Sequence, residues 1–198
     1  MRQNHLLKIT EGTRNEFDGG RRRDVLPIMT SQPMRGHEVD AEIAGSWSDF
    51  SLSDALHMRA YFDLTRSGLK GEDVCAFVLN GIERVRNGRI IYDSDPKAWI
   101  NAPRGLFAFW EDEIWIAREV WTCIGIEEIT KGRNFSVTWW GGTKEEIESA
   151  VTLEKRGFDH RETLALQFYN LSAARQKVLD AARKLDLPEI EQIEGGDA

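Results

Sequence analysis

Apolar residues recur at helical spacing through the first half of the chain and alternate with polar ones through much of the second. Ala55, Met58, Phe62 and Thr65 fall on one helical face. Ser51, with Asp54 three residues on, is a capping-box start whose carboxylate suits the positive end of the helix dipole. Ser67-Gly68 ends this helix, and Val74, Phe77, Val78, Ile82 and Val85 mark the face of a second. Upstream, residues 5–9 allow a turn or two of helix, and Thr13 with Glu16 is another capping box. The helix it opens is kept short by Gly19-Gly20, which cost about 1 kcal/mol each relative to alanine.

Beyond residue 86 the period shortens. Asn87-Gly88 is a turn signal, and 89–93 is a short strand candidate. Segments 106–110 and 114–122 flank Glu111-Asp112-Glu113 and predict a hairpin rich in aromatic and β-branched residues. A strand over 135–140 ends at Gly141-Gly142, and Thr143 with Glu146 caps a helix carrying Ile147, Ala150, Val151 and Glu154 and closed by Gly157. Residues 163–169 alternate Leu164, Leu166 and Phe168 inward. Asn170 starts a final helix with Leu171, Ala174, Val178, Ala181 and Leu185 inward. The irregular stretch 28–46, with Pro33, Gly36 and Gly45, predicts a loop or β-wing. The expected fold is therefore α+β: a helical module over 1–86, a small α+β module with a mainly antiparallel sheet over 89–186, and an acidic flexible tail over 187–198.

Length and composition leave this picture intact. The 198 residues suit one medium domain or two small ones, and 41% apolar with 30% charged is ordinary for a globular chain. No apolar run approaches the roughly 20 residues that span a bilayer, and the first residues lack a secretory apolar core. Cys75 and Cys123 each sit in an apolar segment, which suits small buried residues in a reducing cytosol.

Charge changes the picture more. The net −7 comes from residues 91–198, while 1–90 balance; the first 36 residues hold 7 basic and 4 acidic groups. A locally basic head on an acidic body can still meet phosphates, because screening makes the nearby charge decisive.

Catalytic and metal signatures are missing from the pattern. His5, His37, His57 and His160 show no ligand spacing with the cysteines. Gly141-Gly142-Thr143-Lys144 lacks the rest of a phosphate loop, and Asp93-Ser94-Asp95-Pro96 reads as a turn. No nucleophile, base and orienter assemble, so no enzyme and no cofactor are expected. Alternation sends Trp139 and Trp140 to opposite faces of a strand, and an exposed one would mark a ligand or partner surface.

The order of motifs over 12–79 is more specific. A capped short helix runs from Thr13 to Arg23 and leaves through Val25-Leu26-Pro27. An irregular wing follows. Next comes an aromatic-polar-x-Asp helix start, Phe50-Ser51-Leu52-Ser53-Asp54, and then Leu64-Thr65-Arg66-Ser67-Gly68-Leu69. This resembles the winged helix-turn-helix of the MerR superfamily in its degenerate, prophage-type form, with Asp24 standing where that pattern has glycine. The resemblance implies a recognition helix with Thr13 as its N-cap and Phe17 as its buried anchor. Arg14, Asn15 and Asp18 would then face the major groove, where arginine pairs with guanine and asparagine with adenine. Arg21, Arg22 and Arg23 would meet phosphates, and Arg35 and His37 would lie on the wing.

It further implies a cytoplasmic, dimeric, sequence-specific transcriptional regulator of double-stranded DNA, of phage or mobile-element origin. The second module would dimerise or bind a protein partner or small ligand. The alternative expectation is a non-catalytic adaptor or inhibitor whose helix-turn-helix no longer reads DNA. Pairing of the arginines with Asp18, Asp24 or Glu38 would favour it.

Overall fold

The computed structural model describes residues 1–28, 50–92, 112–123, 135–157, 161–188 and 190. The expected wing with Arg35 and His37, the 106–110 strand and most of the tail lie outside them. Six helices and a three-stranded antiparallel sheet make an α+β fold among the described residues. None of those helices is long and apolar enough to cross a membrane. The chain divides into two compact units, one drawn from Met1–Val78 and Ala173–Ala198, the other from Leu79–Ala102 and Phe109–Ser172.

In the first unit, α1 (Gln3–Thr10) buries Leu6, Ile9 and Thr10, and Thr10 returns its hydroxyl to the Leu6 carbonyl at 2.8 Å. Glu11 ends the helix in the left-handed region (φ 52°), and α2 (Arg14–Arg22) begins three residues later. Both halves of the Thr13/Glu16 capping box are made. Beyond α2, Asp24 also adopts a left-handed φ of 57°. Asp tolerates this conformation better than most residues.

Helix α3 (Leu52–Arg66) starts at the expected Ser51/Asp54 box and is buried on nearly every side, at Leu52, from Asp54 to Phe62, and at Leu64. A helix wrapped on all faces belongs at the centre of its unit. Phe17 of α2 meets Phe50 edge to face, with ring centres 6.1 Å apart. Of the predicted stripe Val74, Phe77, Val78, Ile82 and Val85 on α4 (Gly71–Tyr92), all five are buried.

Here one expectation fails. Residues 89–92 of the expected strand are helical, and Asn87-Gly88 is not a turn: α4 runs unbroken to Tyr92. Four turns of helix precede that pair, so each added residue gains a hydrogen bond without a new nucleation cost, and two weak formers do not stop it.

The second unit is built on the sheet, in the order β2-β1-β3, with β1 (Trp115–Cys123), β2 (Ser136–Gly142) and β3 (Arg161–Asn170). Register places Ala117 between Trp140 and Phe168. Helix α5 (Lys144–Gly157) lays Ile147 and Val151 against Ala117, with Trp115, Trp140, Leu166 and Phe168 around them. Thr143 and Glu146 cap it as expected. Leu164 does not point inward: it is 46% exposed, because the β1–β3 register slips at Val120/Trp121 and leaves it as the unpaired residue of a bulge.

Helix α6 (Leu171–Lys184) buries Leu171, Ala174, Val178, Leu179 and Ala182, so the stripe passes through Ala182 where Ala181 was expected. Most of α6 groups with the first unit, although the sequence order suggested the second module. The start of the tail is tied down, with Leu187 and Ile190 both buried.

Candidate functional site

The predicted site residues gather on α2 and the turn before it. At 100° per residue, Phe17 and Gly20 share one side of the helix, and both are buried. The opposite side carries Asn15 and Arg22, with Asp18 half-buried beside them and Arg14 and Arg21, seven residues apart, along its edge. Gly20 explains how close the buried side comes: a Cβ there would lie 2.3 Å from Leu26 Cδ2 and 3.1 Å from the Tyr61 hydroxyl.

The arginines differ in what they touch. Arg14 lies 3.6 Å from Asp18 one turn on, yet its side chain is 81% exposed. Arg22 has no ion pair among the described residues. Arg23 hydrogen-bonds Tyr61; burial raises the Tyr61 phenol, and the Arg23 charge beside it lowers it in part. One of the three expected phosphate contacts is therefore turned toward the protein.

The connection between α1 and α2 sits on a stripe of α3 formed by Arg59, Phe62 and Arg66, positions i, i+3 and i+7. Arg59, 5% exposed, pairs with the Glu11 carboxylate at 2.9 Å and with Asp63 at 3.0 Å. Gly12 lies flat on the Phe62 ring, where a Cβ would come within 2.2 Å of Cε2. Arg66 donates from Nε to Glu16 Oε1 (2.8 Å) and from Nη2 to Glu16 Oε2 (2.9 Å) and the Glu11 carbonyl (2.7 Å). Glu16 Oε2 also accepts from the Thr13 N–H (2.7 Å) and hydroxyl (2.8 Å). Sequence reasoning found Thr13 and Glu16 through their three-residue spacing but missed Arg59, Arg66 and Gly12. Their partners lie about fifty residues away, and no local pattern announces them.

This network sets the Glu16 carboxyl. The Arg66 hydrogen bonds, helped by those from Thr13 and opposed by partial burial, lower its pKa from 4.5 to about 2. A depressed folded-state value stabilises the fold above pH 4.5, and that stability is lost as pH falls through about 2. After solvent screening the contribution is about 1–2 kcal/mol. Urea unfolding of the wild type and of Glu16→Gln should therefore differ by about that much at pH 6 and converge near pH 2; a gap independent of pH would assign the loss to shape instead.

In the second unit, Trp139 and Trp140 do fall on opposite faces. Trp140 joins the α5-covered core and donates from Nε1 to Glu119 at 3.2 Å. Trp139 has the Arg118 guanidinium 5.9 Å from its ring centre. Beneath α5 lies a charged cluster that the sequence did not announce. Glu119, wholly buried, accepts from Arg161 Nη2 and Thr163 Oγ1, both at 2.6 Å, while Arg161 also pairs with Glu154. Trp121 stacks on Arg161 at 4.2 Å and donates to Thr138 at 2.9 Å. These groups pair with one another, with only the buried Arg161 Nε left without an acceptor among the described residues, and the cluster is a structural ion pair.

No group of histidine, cysteine and carboxylate side chains suited to a metal occurs among the described residues. Burial raises the half-buried Cys75 thiol, with the Asp24 charge adding to it, so the thiol is poorly reactive. Compared with protein-family models and with curated proteins, the chain matches none.

Proposed function

We propose that the chain is a MerR-like regulator that binds double-stranded DNA in a sequence-specific way, with α2 as its reading helix. The observation that carries this is the unit over 3–22: a helix, a three-residue connection and a second helix that buries Phe17 and Gly20 and turns Arg14, Asn15, Asp18 and Arg22 outward. An α-helix with its side chains is about 10–12 Å across, which fits a major groove about 12 Å wide. Asn15 offers the bidentate pair that adenine takes, Arg14 the pair that guanine takes, and Arg21 and Arg22 stand where phosphates would pass. Few basic contacts per copy make a dimer on two half-sites the economical form, with the second unit as dimerisation or partner module, acting in the cytoplasm by occupancy of an operator.

The test is enrichment of bound sequences from a randomised duplex pool, followed by binding of the winner at several salt concentrations. The Arg21/Arg22/Arg23→Ala triple variant should bind all duplexes more weakly. It should also flatten the slope of log K against log salt. Unchanged binding by the triple variant would sink the reading.

The adaptor reading draws on one observation, the Arg14–Asp18 pair. Exposed pairs of this kind are worth under about 1 kcal/mol, so a guanine edge can compete for Arg14. A wild-type chain that enriches no duplex would favour the adaptor.

A further inference from the structure

We propose that Arg66 is the positioning residue of the reading helix, the group through which α3 fixes the angle at which α2 presents Arg14, Asn15 and Asp18. This rests on the DNA-binding reading above. Arg66 itself belongs to another helix and lies outside the outward face of α2. Its guanidinium spends its donors inward: two on the Glu16 carboxylate in a planar fork and one more on the Glu11 carbonyl.

Three features separate this clamp from an ordinary surface ion pair. Its partner is the residue that closes the capping box, so Glu16 joins α3 to the first turn of α2 through one carboxylate. The same guanidinium reaches the left-handed residue at which the chain leaves α1, so both ends of the connection are held from one point. Finally, Arg66 stands two turns from Arg59, which takes the Glu11 carboxylate, and its guanidinium lies 5.7 Å from the centre of the Phe62 ring on which Gly12 rests. Backbone, carboxylates and ring are gripped along one stripe. A connection of three residues has few other anchors, and bidentate base contacts tolerate little displacement. Lysine cannot reproduce the grip, because an ammonium is a point charge without the fork.

The experiment uses the full chain and two variants, Arg66→Lys and Glu16→Gln, which break the clamp from opposite sides. The probes are the duplex enriched by the wild type from a randomised pool and an unrelated duplex of the same length. Each variant is expected to lose about tenfold or more in the ratio of specific to non-specific affinity, with the salt slope unchanged and circular dichroism still native.

Glu16→Gln leaves the Arg66 charge in place, so a role for Arg66 as a direct DNA contact predicts no loss there. Should Arg66→Lys fail to fold, Glu16→Gln still decides. A ratio preserved in the folded variants, or a changed salt slope, overturns the positioning role while leaving DNA binding intact. Failure of the wild type to enrich any duplex overturns the DNA reading itself, and the positioning role with it.

Discussion

Replacing Arg161 with methionine is expected to cost the protein about 3–5 kcal/mol of folding stability, and adding Glu119→Gln is expected to return most of it. Glu119 is 0% exposed, and the Arg161 side chain 3%. In the single variant Glu119 keeps its neutral donors, Thr163 and Trp140, but loses the guanidinium that pairs with it. An ionised carboxylate then sits under α5 with no opposing charge, which is among the most destabilising states a core can hold. In the double variant the charge is gone, the amide oxygen accepts from Thr163 while Trp140 Nε1, which met the other carboxylate oxygen, loses its acceptor, and methionine fills the stem space under Trp121. That chain should lie within about 2 kcal/mol of the wild type. Urea unfolding followed by tryptophan fluorescence measures both, since Trp115, Trp121, Trp139 and Trp140 all lie on the sheet. A loss below about 1 kcal/mol in Arg161→Met would mean that water reaches Glu119, and the description of the pair as buried would fail.

The pair also shows which structure a linear pattern conveys. Three capping boxes, at Thr13/Glu16, Ser51/Asp54 and Thr143/Glu146, were legible because both partners lie within four residues and the geometry of a helix start admits few alternatives. The stripes on α3 and α4 were legible for the same reason. Arg161 and Glu119 are 42 residues apart, and each looks like an outward-facing charge in an alternating strand. Only the register of β1 with β3, and the bulge that shifts it, brings them together under α5. That bulge also undid the inward reading of Leu164. Alternation had assumed an unbroken ladder, and a single extra residue turns the side chain out.

Asn87-Gly88 failed in the opposite way. The dipeptide is a strong turn signal between two strands, but here it meets a helix that is already long, and local preference yields to propagation. On the candidate site, the residues facing outward from α2 were legible, because Phe17 fixes the buried side and helical geometry places the rest. What holds α2 was not. Arg59, Phe62 and Arg66 lie on a helix whose pattern marked only its apolar face and its ends, and Gly12 carried no signal of its own. The resemblance to a winged helix-turn-helix named the segment without naming its supports, since a motif of helix starts and stops carries no information on which side chains cross between them.

Gly12→Ala, accordingly, is expected to be the most damaging single-methyl change in the first unit, at about 3 kcal/mol or more. Three atoms of the Phe62 ring would lie 2.2, 2.7 and 2.7 Å from the new Cβ, distances that real contacts do not reach. The ring has little room to retreat: it is fully buried, meets Tyr61 edge to face at 5.8 Å and lies beneath the Arg66 guanidinium. The turn must therefore lift, and lifting it strains the Arg66 bonds to Glu11 and Glu16.

Phe62→Leu supplies the decisive comparison. In the wild-type background it removes ring atoms from a filled core and destabilises. In the Gly12→Ala background the same substitution vacates the space that the methyl group needs, and it should stabilise. Thermal unfolding of the two single variants and the double variant measures this coupling, and a reversal of sign is the expected result. Additive losses would mean that the turn does not rest on the ring. Phe62 would then be an ordinary core residue, and the stripe of α3 would hold α2 through its two arginines alone.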